Sequence, residues 1–356
     1  MKLAAHFDGL AARDWDVPVE DPVRFAVVGL GGFATRFALP ALDAAAHCRT
    51  TVLVSRSPAK AGRLAARFGV EHTLTYDDLH DGVDREEYDA VYVCTPNARH
   101  FGPAETASAF GKHVLCEKPL ATTTKRATRL VEICDGTDGT LMVAYRMQID
   151  PVMRRVRDLV REGFVGDPLR IHAGFSYPVL DAGGPDQWRL DRDLAGGGAL
   201  MDVGIHALNT VRFLLDADPI TVRGETASPD EPFAEVDQHV GFELAFPGGV
   251  GAACTASFTG YASSHLELLG TEGRIRVDPA FSHTTRRRIA LERGDVRATV
   301  EGPEVDEIRE QFDYFAAHVR TGRRPEPDGQ DGLVDMRTID AIYESAETGR
   351  RVDLER

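Results

Sequence analysis

The fold is decided by the stretch Arg24-Phe-Ala-Val-Val-Gly-Leu-Gly-Gly-Phe-Ala34. Its first half predicts a buried β-strand over Arg24–Val28, and a G-x-G-x-x-A spacing follows at once. Gly29 permits a tight turn, and Gly31 has no side chain, so the backbone can approach a pyrophosphate. A helix from Phe33 to about Ala45 would direct its first N–H groups at the phosphates. The candidate cofactor contacts from this turn are Gly29, Gly31, Gly32, Phe33 and Ala34; the alternative is a glycine-rich turn that binds nothing.

The next predicted strand, Arg49–Val54, ends where a dinucleotide fold meets the adenosine ribose. An acid there would bind the 2′-hydroxyl of NAD and repel a 2′-phosphate. The sequence instead has Ser55, Arg56 and Ser57, with Lys60 one turn into the following helix. Two hydroxyls and two cations suit a phosphate dianion. The sequence therefore predicts NADP as the cofactor, with NAD as the weaker alternative if Arg56 only stacks on adenine.

Strand and helix patterns alternate about five times up to a strand predicted over Thr140–Arg146, which is typical of right-handed crossovers and a parallel sheet. From Asp150 onward the pattern changes to one helix, a run of strands with hairpin turns such as Pro247-Gly-Gly249, and two final helices with apolar stripes. The predicted fold class is α/β. An arm over residues 1–22 precedes a Rossmann dinucleotide-binding domain over 23–148, and a C-terminal α+β domain over 149–356 is built on a large, mostly antiparallel open sheet.

Composition narrows the classes of function. The chain has 356 residues, with 56 acids against 41 bases and a net charge of −15, which disfavours binding to nucleic acid or to an anionic membrane. Only five bases are lysines; G+C-rich coding would explain this, but we favour adaptation to high salt. The five cysteines are widely spaced without a C-x-x-C pair, which favours reduced thiols in the cytoplasm. Neither a signal-peptide core nor an apolar run of about 18 residues occurs.

Lys118 ends a second informative stretch, His113-Val-Leu-Cys-Glu-Lys-Pro-Leu120. The run Val114–Cys116 predicts a short buried strand, and Pro119 stops it because proline cannot continue a central ladder. Lys118 therefore lies at the carboxyl end of a strand, the edge at which open α/β sheets bind ligands. A lysine there is either functional or a solvated strand-end residue.

The stretch Gly196-Gly-Gly-Ala-Leu-Met-Asp-Val-Gly-Ile-His206 predicts a buried helix that carries two titratable side chains. Asp202 and His206 are four residues apart and share one helix face. Three interpretations are open: a core histidine satisfied by Asp202, the start of a zinc site for which no Cys or His partner motif exists, or an acid–base pair. We favour the last and predict no metal. His206 would be the general base, because its ordinary pKa of about 6.5 suits proton abstraction near neutrality, and Asp202 would orient substrate and histidine.

Together these motifs resemble the glucose–fructose oxidoreductase / inositol dehydrogenase family of sugar and polyol dehydrogenases. The resemblance runs from about Val23 to Val352. Its parts occur in family order: Gly29–Ala34, Thr95-Pro-Asn97 with His100, Glu117-Lys-Pro119, Ala144-Tyr-Arg146 and Gly196–His206. Polyol-type members have histidine where this chain has His206, whereas members near glucose–fructose oxidoreductase have tyrosine there; Tyr145-Arg-Met147 resembles the sugar-oxidising branch.

The resemblance implies that Lys118 is the catalytic lysine beside the nicotinamide. It also implies that Thr95, Pro96 and Asn97 line the nicotinamide and its ribose. Further candidate cofactor contacts are His100, Glu117 and Arg146. Candidate substrate contacts are Lys118, Tyr145, Trp188, Arg189, Asp202 and His206. For Arg146, Trp188 and Arg189, ordinary packing and ion pairing is an equal alternative.

The resulting hypothesis is an NADP-dependent dehydrogenase that oxidises C1 of an aldose, D-xylose or glucose, to the lactone. His206 would take the proton of the anomeric hydroxyl, and Lys118 would stabilise the charge that develops on its oxygen. Alternatives are an inositol or polyol dehydrogenase, a keto-sugar reductase, a redox-assisted glycosidase and a silent sugar or dinucleotide sensor. The resemblance also implies a homodimer or homotetramer, and the second-domain sheet is the expected interface, because a broad apolar face requires cover.

Overall fold

The computed structural model describes residues 13, 15, 21–283 and 286–354, and the chain divides into two compact units. The parallel-sheet unit comprises Asp14–Arg146 and Asp306–Leu333. The mixed-sheet unit comprises Met1–Arg13, Met147–Val305 and Val334–Arg356. The arm predicted over residues 1–22 lies almost entirely outside the described residues. Within the described ranges, no helix is long and apolar enough to cross a membrane.

The helices and strands are numbered in chain order. The helices are α1 Leu39–Ala44, α2 Pro58–Phe68, α3 Tyr76–His80, α4 Phe101–Ala109, α5 Thr124–Asp135, α6 Arg146–Ile149, α7 Pro151–Arg161, α8 Val179–Gly183, α9 Arg192–Ala195, α10 Ile205–Leu215, α11 Glu307–Thr321 and α12 Gly329–Thr348. The strands are β1 Val23–Val28, β2 Cys48–Val54, β3 His72–Leu74, β4 Ala90–Val93, β5 His113–Cys116, β6 Leu141–Val143, β7 Pro168–Ser176, β8 Thr221–Ala227, β9 His239–Ala245, β10 Gly251–Ser257, β11 Ser263–Gly270, β12 Gly273–Asp278, β13 Arg288–Arg293, β14 Val296–Glu301 and β15 Val352–Asp353.

The parallel-sheet unit is a doubly wound sheet in the order β3-β2-β1-β4-β5-β6, with every pair parallel. This is the dinucleotide-binding arrangement, in which ligands bind at the carboxyl ends of the strands beside β1. The predicted α/β class is confirmed. The last strand was predicted over Thr140–Arg146, but β6 ends at Val143, because the Tyr145 N–H turns back to the Val143 carbonyl at 2.7 Å and α6 follows.

Helix α11 packs into the core of the parallel-sheet unit, although the sequence analysis placed residues 306–333 in the second domain. The Phe312 ring lies 5.5 Å from Phe25 on β1 and 5.0 Å from Tyr92 on β4, edge to face in both cases. Such aromatic pairs add to the stability that burial of their area supplies. The chain therefore returns to the first sheet after it has built most of the second unit.

The mixed-sheet unit has nine strands in the order β14-β13-β12-β11-β7-β10-β9-β8-β15. Among the described strands of this sheet, only β7 and β10 pair in parallel. Every other described pair in it is antiparallel, which confirms the predicted mostly antiparallel sheet. Alternate residues face inward, such as Ile171 and Ala173 of β7, both at least 98% buried. The outer face carries charged and small residues, including Arg223 and Glu243, rather than a broad apolar surface.

Candidate functional site

The turn after β1 has the geometry that close approach of a phosphate requires. Gly29 has φ +94°, and a Cβ there would lie 2.5 Å from the carbonyl oxygen of Cys94, so only glycine fits. A Cβ at Gly31 would meet no described atom within 4 Å. The backbone at Gly31 is therefore open to a ligand, as the G-x-G-x-x-A pattern predicts.

The rest of this turn packs the following helix onto the strand. Ala34 is fully buried and begins a π turn, Ala34–Ala38, before α1. Gly32 and Phe33 precede it, and the Arg36 side chain folds back so that its Nε donates to the Gly32 carbonyl at 3.2 Å. A positive charge thus lies beside the turn, which the sequence analysis did not identify.

The group predicted at the end of β2 is held together by hydrogen bonds. Ser55 Oγ accepts one from the Ser57 N–H at 3.1 Å, and Ser57 Oγ accepts one from the Lys60 N–H at 3.3 Å, which caps α2. Arg56 is exposed between the two serines. Two fixed hydroxyls beside two cations form a group that fits a phosphate dianion.

Two further side chains belong to this end of the sheet. Burial raises the pKa of Tyr76, and the positive charges of Arg56 and Arg99 partly oppose that rise, so both guanidinium groups lie near the phenol. Tyr76 follows β3, and Arg99 ends the 3-10 turn after β4. Neither belongs to a recognisable motif, and their positions just beyond strand ends were the only signal in the sequence.

The turn Thr95-Pro96-Asn97 after β4 contains a buried polar atom that a ligand would satisfy. Thr95 and Asn97 are 7% and 5% exposed. Thr95 Oγ1 is buried without a hydrogen-bond partner among the described residues. Buried hydroxyls are normally paired, so an unpaired one at the ligand-binding edge of the sheet fits a bound nucleotide.

His100 joins two turns instead of pointing into open space. Its side chain is completely buried, with Nδ1 2.9 Å from the Pro119 carbonyl oxygen and Nε2 3.0 Å from the Thr95 carbonyl oxygen. Burial lowers the pKa of His100 to about 4, although the two carbonyl oxygens oppose this. The ring thus ties the turn after β4 to the turn that carries Lys118, and a direct cofactor contact by His100 stays a prediction.

Lys118 follows β5, and Glu117 beside it is anchored to the sheet. Glu117 Oε1 accepts a hydrogen bond from the Tyr92 hydroxyl at 2.7 Å, and Oε2 accepts one from the Lys118 N–H at 3.3 Å. Burial raises the pKa of Glu117, and the Lys118 charge is the largest opposing influence. Burial also raises the pKa of Tyr92 well above its usual value, so its hydroxyl stays a donor. Glu117 therefore fixes the backbone from which Lys118 projects.

Arg146 and Tyr145 lie in the core of the parallel-sheet unit. The Arg146 guanidinium forms an ion pair with Glu307 of α11, and their side chains are only 5% and 1% exposed. Tyr145 is 1% exposed. The sequence analysis treated ordinary packing and ion pairing as an equal alternative for Arg146, and the ion pair with Glu307 is such a contact. Contacts of Arg146 with the cofactor and of Tyr145 with a sugar stay predictions.

In the mixed-sheet unit, Asp237 fixes the glycine turn before the predicted catalytic helix. Its carboxylate accepts hydrogen bonds from the Gly198 N–H at 2.6 Å, the Leu200 N–H at 2.7 Å and the Tyr343 hydroxyl at 2.7 Å. A Cβ at Gly198 would lie 2.0 Å from the Asp237 carbonyl oxygen, and one at Gly197 would lie 2.1 Å from the Tyr343 hydroxyl. These contacts explain why glycine occupies both positions.

Asp202 lies in the π turn Leu200–Gly204 that leads into α10; such turns are frequent at functional sites. Asp202 Oδ2 accepts a hydrogen bond from the Tyr177 hydroxyl at 2.8 Å and one from Arg189 Nε at 2.9 Å. His206 is 5% exposed and its ring lies 5.8 Å from that of Phe175.

Arg189 also stacks on the neighbouring Trp188, with its guanidinium carbon 4.7 Å from the ring centroid. The unit thus brings Asp202, His206, Trp188 and Arg189 into one region, and it adds Tyr177, which the sequence analysis missed. Tyr177 immediately follows an ordinary amphipathic strand, and no motif in the sequence marks it. No group of three or more His, Cys, Asp or Glu arranged to hold a metal ion occurs in the part of the chain that the structure describes.

Two family profiles match the chain. Residues 23–145 match the profile described as "Oxidoreductase family, NAD-binding Rossmann fold". Residues 153–276 match the profile described as "GFO/IDH/MocA C-terminal domain". The two matches correspond to the first sheet and to most of the second.

Similar proteins are sugar oxidoreductases. D-xylose 1-dehydrogenase [NADP(+)] of Haloarcula marismortui is 47% identical, and the alignment covers 100% of each chain. The aldose-aldose oxidoreductase from Caulobacter crescentus, solved with glycerol, has a TM-score of 0.89 and 33% identity over 94% of this chain and 100% of that one. A 3-ketoreductase from Actinomadura kijaniata, solved with NADP and TDP-benzene, has a TM-score of 0.82 and 29% identity over 91% of this chain and 98% of that one.

Proposed function

This chain belongs to the GFO/IDH/MocA family of oxidoreductases, and we propose that within it the chain is an NADP-dependent aldose 1-dehydrogenase whose substrate is D-xylose. The observation that carries the proposal is the 47% identity over the full length of both chains to a D-xylose 1-dehydrogenase [NADP(+)]. The cationic and hydroxyl side chains of residues 55–60, after β2, support NADP as the cofactor. The mixed-sheet unit supplies a histidine, His206, and an acid, Asp202, that are suited to proton transfer.

NADP fits the groups at the edge of the parallel sheet. Gly31 leaves the backbone open to the pyrophosphate, and Thr95 presents a buried hydroxyl without a partner among the described residues. Ser55, Arg56 and Ser57 would hold the 2′-phosphate, with Lys60 behind them. NAD lacks that phosphate and would forgo the charge-assisted bonds, each worth roughly twice a neutral one, so we propose it as the weaker cofactor.

The proposed reaction removes a hydride from C1 of the sugar and a proton from the hydroxyl group on that carbon. Bound NADP supplies the acceptor for the hydride that leaves C1. His206 takes the proton from the anomeric hydroxyl, and Asp202 orients the sugar and the imidazole. Lys118 donates a hydrogen bond to the same oxygen and stabilises the developing negative charge, a contribution of about 3 kcal/mol for one well-placed donor. The product is the lactone.

We propose that the sugar contacts Tyr145, Trp188 and Arg189. Their burial and hydrogen bonds support these contacts to different degrees. Trp188 is half-buried beside Arg189, which offers an apolar face of the kind sugars stack on. Arg189 already donates through Nε to Asp202, so its contact with substrate would use its Nη groups. Tyr145 is almost completely buried, which makes it the weakest of the three.

A keto-sugar reductase is the second candidate, because the 3-ketoreductase from Actinomadura kijaniata shares the fold at 29% identity. The two functions differ in direction and substrate. Absorbance at 340 nm with purified protein separates them. NADPH formation with D-xylose and NADP⁺ supports the dehydrogenase, whereas oxidation of NADPH by a nucleotide-linked keto-sugar without any aldose activity would replace it.

Lys118→Ala tests the proposed catalysis in the same assay. The variant should bind NADPH as the wild type does, measured by cofactor fluorescence, and lose turnover about a hundredfold or more. Lys125→Ala, on the first turn of α5, is the matched control. Near-full turnover by Lys118→Ala would overturn the proposed role of Lys118.

We also propose a cytoplasmic location and a homodimer or homotetramer formed through the outer face of the mixed sheet, by contacts between its charged and small residues rather than by burial of an apolar face. Gly241 lies on that face, and a side chain there would meet no described atom within 4 Å. Gly241→Arg should therefore fold normally yet lower the mass measured by light scattering, whereas Gly62→Arg on exposed α2 should not. An unchanged mass would argue against this interface.

All five cysteines lie in the described chain and none forms a disulfide, which is expected in a reducing compartment.

A further inference from the structure

The inference concerns Tyr177, which belongs to no motif and immediately follows β7. Its hydroxyl donates to Asp202 Oδ2 at 2.8 Å, and Arg189 Nε donates to the same oxygen at 2.9 Å. The three residues come from a strand end, a 3-10 turn and a π turn. Three separate elements of the fold therefore converge on one carboxylate oxygen, so the tertiary structure and not a local motif positions it.

We propose that Tyr177 is a positioning residue of the reaction: with Arg189 it fixes Asp202 as an ionised, immobile hydrogen-bond acceptor. The proposal rests on the proposed dehydrogenase function, in which Asp202 orients the sugar and His206. Two donors on one oxygen restrict rotation of the carboxylate about its last bond, and donors to a carboxylate favour its charged form.

The surroundings of Tyr177 argue against the alternative that it is itself the base. Burial raises the pKa of Tyr177 well above its usual value, with the Asp202 charge adding to this, so the phenol stays protonated. Its ring is also held in place: it packs edge to face on Phe258 at 6.0 Å and beside Phe175 at 6.2 Å. Phe175 in turn contacts the His206 ring at 5.8 Å. The end of β7 therefore supports both members of the proposed acid–base pair, one through a hydroxyl and one through a ring.

The test is Tyr177→Phe, which keeps the ring and removes only the hydroxyl. We expect kcat/KM for D-xylose to fall about tenfold, as loss of one hydrogen bond to a charged group predicts, with the KM for NADP⁺ unchanged. Replacing the C1 hydrogen of xylose by deuterium should slow kcat of the variant more than that of the wild type, because the chemical step becomes rate-limiting. Tyr261→Phe is the matched control, since Tyr261 is 94% exposed in the same unit.

Arg189 provides the second variant, which keeps the inference testable if Tyr177→Phe fails to fold. Arg189→Lys retains a cationic donor and should retain more of kcat than Arg189→Met. Full kcat/KM in Tyr177→Phe, or equal losses in both Arg189 variants, would overturn the inference while the dehydrogenase function stands. A wild type that reduces no NADP⁺ with any sugar would overturn the proposed function and this inference with it.

Discussion

Acid should destabilise the protein in part through one residue, His100. Its pKa is about 4 in the folded chain against an ordinary value of 6.5. Above pH 6.5 the ring is neutral in both states. As the pH falls from 6.5 toward 4, the His100 ring of the unfolded chain binds a proton, whereas the ring in the folded chain stays neutral. The stability that the neutral buried ring permits is therefore present above pH 6.5 and lost progressively down to about pH 4.

The magnitude follows from the two pKa values. The difference of about 2.5 between the two pKa values corresponds to about 3 kcal/mol in the free energy of unfolding. Between pH 7 and pH 5 the free energy of unfolding should fall by about 2 kcal/mol. Carboxylates elsewhere also titrate in this range, so the wild type must be compared with His100→Gln, whose amide can still donate to a carbonyl oxygen but carries no titrating group.

The assay is urea unfolding followed by far-UV circular dichroism at pH 7 and pH 5, at constant high salt. We expect the wild type to lose about 2 kcal/mol more than His100→Gln over this interval. A difference below about 0.5 kcal/mol would refute the reasoning, because the ring would then bind its proton equally well in both states. It would also indicate that both carbonyl contacts, to Thr95 and Pro119, are donated by a protonated ring.

Three further predictions follow from contacts within single units. Arg56→Ala should raise KM for NADP⁺ at least about tenfold and leave KM for NAD⁺ nearly unchanged; equal effects in steady-state kinetics would argue against a 2′-phosphate contact. Gly198→Ala should lower stability by about 3 kcal/mol or more, because its Cβ would collide with the Asp237 carbonyl, whereas Gly241→Ala should cost little beyond backbone effects; calorimetry compares them. Glu307→Gln should cost about 3–5 kcal/mol by leaving Arg146 buried without its ionic partner, and Arg146→Met with Glu307→Leu should recover most of this in urea unfolding.

The sequence predicted the elements whose signal is local. Gly29 and Gly31 lie in a turn that needs glycine, and the strand and helix around them follow from apolar patterning. The Ser55–Lys60 group was predicted from its position after the second strand, which has a fixed meaning in this fold. Asp202 and His206 were predicted from two titratable groups on one apolar helix, and the roles of both groups stay predictions.

The residues that sequence reasoning missed act through contacts distant in the chain. Tyr177 meets Asp202 across 25 positions, and Asp237 meets Gly198 across 39. Nothing local marks either one. Strand β6 was predicted too long because nothing in the apolar pattern marks the turn in which the Tyr145 N–H donates to the Val143 carbonyl.

The central claim is that this chain oxidises C1 of an aldose with NADP⁺. The most direct measurement uses D-xylose deuterated at C1 with NADP⁺ and the purified protein, followed by mass spectrometry of cofactor and sugar. The account predicts that each reduced cofactor carries one deuterium and that xylose becomes a lactone without the label. Reduced cofactor without deuterium, or no reduction with xylose, glucose or any other aldose, would contradict it.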